Sequence, residues 1–148
     1  MSGLSFDANC LIEEHDAVTG ELLSREMVHN KIPDIGINAI LGLISGNGQL
    51  PVSYFAVGTG TTTPAAADVA LGTERFRALT TQKFITGASL VVKFYLDTNS
   101  ANGYTLTEAG LFDLAAGGDL FAHVIYTGKA KTSSNTISFS WSINAVSI

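Results

Sequence analysis

The stretch TSSNTISFSWSINAVSI, residues 132–148, contains no charged side chain and alternates along most of its length between apolar and small polar residues. Ile137, Phe139, Trp141 and Ile143 fall on one face of an extended strand, and Ser138, Ser140, Ser142 and Asn144 on the other, because successive strand side chains point to opposite sides. The sheet is therefore the organising element of the fold. An extended segment turned to water, above all at a sheet edge, is usually guarded by Lys, Glu, Pro or a bulge, and this one carries none of those side chains. Its second face is too polar for a core and too bare of charge for a lone surface, so a second copy of the chain is expected to cover it. A lone protomer that leaves these serines facing bulk water would argue against that expectation.

Outward from this strand, Ala88, Leu90, Val92, Phe94 and Leu96 form an inward face opposite Ser89, Lys93 and Tyr95. At the other end of the chain, Phe6, Ala8, Cys10 and Ile12 alternate within residues 5–14, and the turn 17–21 leads to a second strand, Leu22 to Val28. Further strand character appears at 52–57, 74–85, 104–114 and 120–126, punctuated by Asn102-Gly103 and Gly117-Gly118. Asp34 is placed to cap a short helix in which Ile37, Ile40, Leu41 and Ile44 form the buried stripe, stopped by the Gly46-Asn47-Gly48 segment. Gly36 and Gly42 each weaken that helix by about 1 kcal/mol relative to Ala, so packing must hold it. The expected fold is mainly β: an antiparallel β-sandwich or jelly-roll-like barrel with one short helix at about residues 35–45. A single domain spans residues 1–148, with the N-terminal hairpin 5–28 a candidate arm.

Charged residues make up only 14% of the chain, against about 25% in an average domain, a deficit that subunit contacts would explain. The imbalance is local, because residues 1–34 hold seven acids and two bases whereas the remainder is neutral. An acidic chain without a basic stripe is a poor match to phosphate backbones, so nucleic acid is not an expected partner. The single cysteine, Cys10, forms no internal disulfide and reads as a small core residue. No segment has the ~18 apolar residues of a membrane-spanning helix and the start shows no leader-like run, so synthesis in a cytosol and no membrane partner are expected.

The candidate chemical motifs are weak. Val57-Gly58-Thr59-Gly60 follows a strand but lacks the third glycine and the helix of a dinucleotide turn, and a tight turn into the Gly58–Gly72 loop explains it better. Asp97, Asn99 and Glu108 match three positions of a calcium loop, while Ala101 and Asn102 break the template. His15, His29 and His123 share no metal-ligand spacing, and His123 reads as a packed or interface residue. Glu108, Asp113 and Asp119 are carboxylates without an activated nucleophile or base beside them. No enzymatic activity, cofactor or metal is expected.

Two groups of residues resemble a known family. The segment Tyr54 to Pro64, continuing through Leu71-Gly72-Thr73-Glu74 to Arg77, is one. Leu106 to Asp113 with Leu120-Phe121-Ala122 and the strand around Trp141 is the other. Together with His29-Asn30 and the glycine-bearing helix they resemble small β-rich structural proteins of tailed bacteriophage virions, over most of residues 22–148. The resemblance implies a β-rich domain in symmetric homo-oligomers, with no catalytic residues to carry over. In such a protein the Gly58–Gly72 loop lies against a neighbour, with Glu74 and Arg77 available for pairing at its base. The expected interface residues are thus Thr59, Thr61, Thr62, Pro64, Glu74 and Arg77, joined by Ser138, Ser140, Ser142 and Asn144 from the alternating strand. A compact chain without a shaft favours a homotrimeric capsid decoration or cement subunit; the alternative is a tail-fibre, baseplate or tail-tip module. Expected partners are further copies and other virion proteins, such as major capsid or tail proteins, and the expected location is the virion, after synthesis in the bacterial cytoplasm.

Overall fold

The alternation at the two ends of the chain converges in one pair of strands. In a computed structural model that describes residues 3–147, β1, Leu4–Asp16, runs antiparallel to β9, Asn135–Ser147, in continuous register from Leu4↔Ser147 to Asp16↔Asn135. Between them the described chain forms β2 (Leu22–His29), α1 (Asp34–Ser45), β3 (Tyr54–Gly58), β4 (Glu74–Leu79), β5 (Gln82–Thr86), β6 (Ser89–Leu96), β7 (Thr105–Phe112) and β8 (Leu120–Ala130). Two antiparallel sheets result, one in the order β2-β1-β9-β6-β5 and the other β4-β3-β7-β8. The architecture is an open β-sandwich and not a closed barrel. The hairpin β1–β2 is built into the five-stranded sheet along the whole length of β1.

The core lies between the two sheets. Register sets small residues beside large ones, with Cys10 opposite Trp141, Ala8 opposite Ile143 and Ile12 opposite Phe139, the cross-strand pairing through which sheets gain stability. Phe55 of β3 stacks on Phe94 of β6 at 4.3 Å between ring centroids, and Phe94 stacks on Phe139 of β9 at 4.5 Å. This aromatic ladder ties the two layers together. Trp141 is fully buried, and with the Asn30 amide turned to suit its surroundings its indole Nε1 donates to Asn30 Oδ1 at 3.1 Å, while the amide nitrogen donates to Ala8 O at 2.8 Å. Cys10 is buried too, as its place in the alternation requires, and burial pushes its thiol well above the usual range.

Four sequence expectations are corrected. β9 is not an edge strand, since β1 and β6 pair with both its sides, so the absence of guard residues needs no special cover. The 74–85 segment is not one strand: it breaks at Thr80-Thr81, and β4 and β5 belong to different sheets. The helix is turned over. Its buried residues are Gly36, Ala39 and Gly42; of the expected stripe only Ile40 packs on the core, half-buried, while Ile37, Leu41 and Ile44 stand on the exposed side. The cause is close approach, because a Cβ on Gly36 would sit 2.6 Å from Phe121 O and 2.9 Å from Leu120 O on β8. Nor does Asp34 cap α1; Pro33 occupies the N-cap, with no side-chain hydrogen bond there. Gly46, in the left-handed conformation, ends the helix through its N–H to Gly42 O, the ordinary role of glycine at that position.

Candidate functional site

The outer face of the four-stranded sheet is covered by the chain itself. A bulge after Leu106 lets Ala109 and Leu111 face the main core while Glu108, Gly110 and Phe112 face outward. There Leu71, from the Gly58–Gly72 loop, joins Ala56, Phe112 and Leu120 in a second small core. Gly110 is the seat for Leu71, since a Cβ at that position would lie 2.8 Å from Leu71 Cδ2 and 2.9 Å from Leu120 Cδ1.

Glu108 locks the loop in place. Its carboxylate, 1% exposed, accepts the backbone N–H groups of Gly60 (2.7 Å), Thr73 (2.7 Å) and Gly72 (2.8 Å). His123 Nε2 on β8 lies 3.0 Å away, and His123 Nδ1 lies 2.9 Å from Asp68 Oδ2 on the same loop. Asp68 in turn accepts Ala65 N–H at 2.8 Å, and Thr107 Oγ1 donates to Gly60 O at 2.7 Å. Both ends of the loop are therefore fastened to one buried acid. Burial alone would raise the Glu108 carboxyl, but the hydrogen bonds from His123, Thr73, Gly72 and Gly60 outweigh it and hold the group down at about 2. Burial likewise works to lower His123, yet its bonds and charge interactions with Glu108 and Asp68 win and raise it.

Sequence reasoning gave Glu108 no role beyond that of an unactivated carboxylate, whereas in β7, opposite Gly58 and Ile125, it is the anchor of the loop. A lone charged residue in an otherwise uncharged strand, with glycines at 58, 60 and 72, was the available signal. Two of the three carboxylates have separate structural uses, since Glu108 fastens the loop while Asp113 accepts Asp119 N–H at 2.7 Å and Gln49 Nε2 at 2.9 Å. Asp97 does not share a site with Glu108 either, because it caps its own turn through Asn99 N–H and Ser100 Oγ, both at 2.8 Å. Among the described residues no group of three His, Cys, Asp or Glu side chains is placed to hold a metal ion.

Thr61 and Thr62 project outward from the loop, with Thr59 and Pro64 half-buried. Glu74 and Arg77 pair with each other at 2.6 Å. The guanidinium, only 8% exposed, also donates to Leu114 O (2.9 Å) and Gly117 O (2.7 Å) and lies 3.7 Å above the Phe112 ring. Arg77 is committed inside the chain, while Glu74 keeps a partly open carboxylate.

Ser138, Ser140, Ser142 and Asn144 form the central stripe of the open face of the five-stranded sheet. Neighbouring strands leave each half-buried, and no other layer of the chain covers them, which weighs against the sequence argument for a shield. Tyr95, Val91 and Phe84 flank the stripe on one side and Leu11 and Met27 on the other, with Glu13 and Lys93 beside Ser138 and Ser140. Ser138, Ser140, Tyr95, Glu13 and Lys93 line a shallow depression of about 330 Å³. No helix of the described chain is long and apolar enough to cross a membrane. Comparison with family models, with curated proteins and with solved structures finds no match to this chain.

Proposed function

We propose that the protein is a structural component of a tailed-bacteriophage virion, a trimeric capsid decoration or cement subunit that stabilises the particle through protein–protein contacts. The observation that carries this reading is the open face of the five-stranded sheet. Its centre is a stripe of small uncharged residues, Ser138, Ser140, Ser142 and Asn144, flanked by Tyr95, Phe84 and Met27 with charge set alongside. Tyr, Phe and Met are residue types enriched in protein interfaces, so on this uncovered face the flanks, rather than the serines between them, would supply the contact. The motif resemblance of residues 54–77 and 106–122 supports the virion as the setting. The acids and histidine that catalysis would recruit serve instead to fasten the loop and turns, which supports a non-enzymatic role.

The decisive experiment is the copy number of the protein in purified virions, read from a stained gel, with the behaviour of particles that lack it. A decoration subunit gives a copy number near a multiple of the capsid symmetry, and particles without it still deliver DNA but tolerate heat or low salt poorly. Normal robustness with lost adsorption would assign the protein to the tail instead, as a fibre, baseplate or tail-tip module.

A further inference from the structure

The two layers of the sandwich differ in length. β1 and β9 have 13 residues each, but β3 has five and β4 six. Where β1 begins and β9 ends, the core-facing side of the long sheet runs on past its partner, and α1 forms the opposite wall. The result is an open apolar groove of about 730 Å³, with Phe6, Leu43, Ile44, Ile85, Leu90 and Ile143 among its lining. Ile85 is 79% exposed and Ile44 76%. The one charged side chain in the lining, Lys83, turns its ammonium to Val52 O. Beside the groove the overturned helix presents a ridge, Ile37, Leu41 and Ile44.

From these exposures, groove rim and ridge together leave roughly 800 Å² in water, more than the 300–600 Å² of the largest patch on a typical monomer. The surface has almost no charge with which to select an unlike protein, and it sets a convex apolar ridge next to a concave apolar groove. We propose that this groove is the contact between copies of the chain, the helix ridge of one protomer entering the groove of the next. The overturned helix then has a reason: Gly36 lets it lie close on β8, and Ile37, Leu41 and Ile44 are left for the neighbour. The proposal rests on the self-assembly part of the reading above, and leaves the serine face free for the particle.

The test is light scattering across a concentration series for the wild-type chain and for Ile85→Lys, Leu41→Asp and Ser140→Lys, with circular dichroism on each. Both apolar positions are exposed, so the protomer fold is expected to stand; Ile85→Ser and Leu41→Ser serve as milder variants should a charge disturb it. The expected result is an oligomeric wild type and Ser140→Lys, with dissociation at least about thirtyfold easier in the groove and ridge variants, the effect of losing one well-packed anchor. Wild-type mass in folded groove and ridge variants overturns the assignment of the contact while self-assembly stands. A wild type of protomer mass throughout removes self-assembly itself, and this contact with it.

Discussion

Replacing Glu108 by Gln changes one oxygen to an NH2 group and removes a buried charge, and the structure specifies where each loss falls. One carboxylate oxygen accepts Gly60 and Thr73 N–H, and the other accepts Gly72 N–H and faces His123 Nε2. An amide nitrogen in the first place opposes two backbone donors. In the second it opposes one, since a neutral His123 protonated on Nδ1 still donates to Asp68 and accepts from the amide. The variant therefore settles in the second arrangement, with the Gly72 N–H left without an acceptor and the ion pair gone, at a cost of about 2–4 kcal/mol. The pH dependence gives an independent figure. With Glu108 lowered from its usual 4.5 to about 2, its contribution of about 3 kcal/mol is fully present above pH 4.5 and lost as pH falls through 4.5 toward 2. His123 is raised above 6.5, so its share is complete below pH 6.5 and fades as pH rises through the folded value. The two shifts describe largely one interaction and are not added. Urea unfolding across pH is expected to show a plateau between about 4.5 and 6.5, and in Glu108→Gln a lower, flatter profile on the acid side. Hydrogen exchange at Gly60, Gly72 and Thr73 is expected to quicken. Unchanged stability with an unchanged acid slope would refute the lock.

Gly36→Ala is expected to destabilise in spite of a helix-propensity gain of about 1 kcal/mol, because the new methyl meets backbone oxygens of β8 and overpacking costs about 1–3 kcal/mol. A raised Tm would show that the helix is free to move away. Arg77→Lys keeps the charge but loses the fork that reaches Leu114 O, Gly117 O and Glu74 above Phe112, a loss of about 1–3 kcal/mol in denaturant unfolding; wild-type stability would mean that the fork is dispensable. Ser140→Lys should leave the circular dichroism spectrum and the melting curve intact while lowering the protein's occupancy on purified particles, and full occupancy would take the outer face out of the proposed function. Ile85→Lys and Leu41→Asp address the groove through the assembled mass.

The alternation in β1, β6 and β9 made the core side of each strand readable before any coordinates, because a period of two depends on neighbours one residue apart. Trp141, Phe94, Phe139 and Cys10 lie where that period puts them, and the turns at 17–21, 97–103 and 117–118 fall at glycine and short polar residues for equally local reasons. The helix shows where such reading ends. Its apolar stripe was plain, but the rule that the stripe faces inward fails where a strand backbone comes close enough to Gly36 to leave no room for a side chain there.

What the sequence determined by itself, then, was the mainly β class, the approximate place of most strands and the inward face of β1, β6 and β9, since these follow from side chains a few residues apart. Only the tertiary structure decided that β9 sits in mid-sheet, that β4 and β5 part into different layers, and that Glu108 holds a loop 36 to 48 positions away. Those outcomes depend on which distant backbone comes within hydrogen-bonding reach, and no local period carries that information.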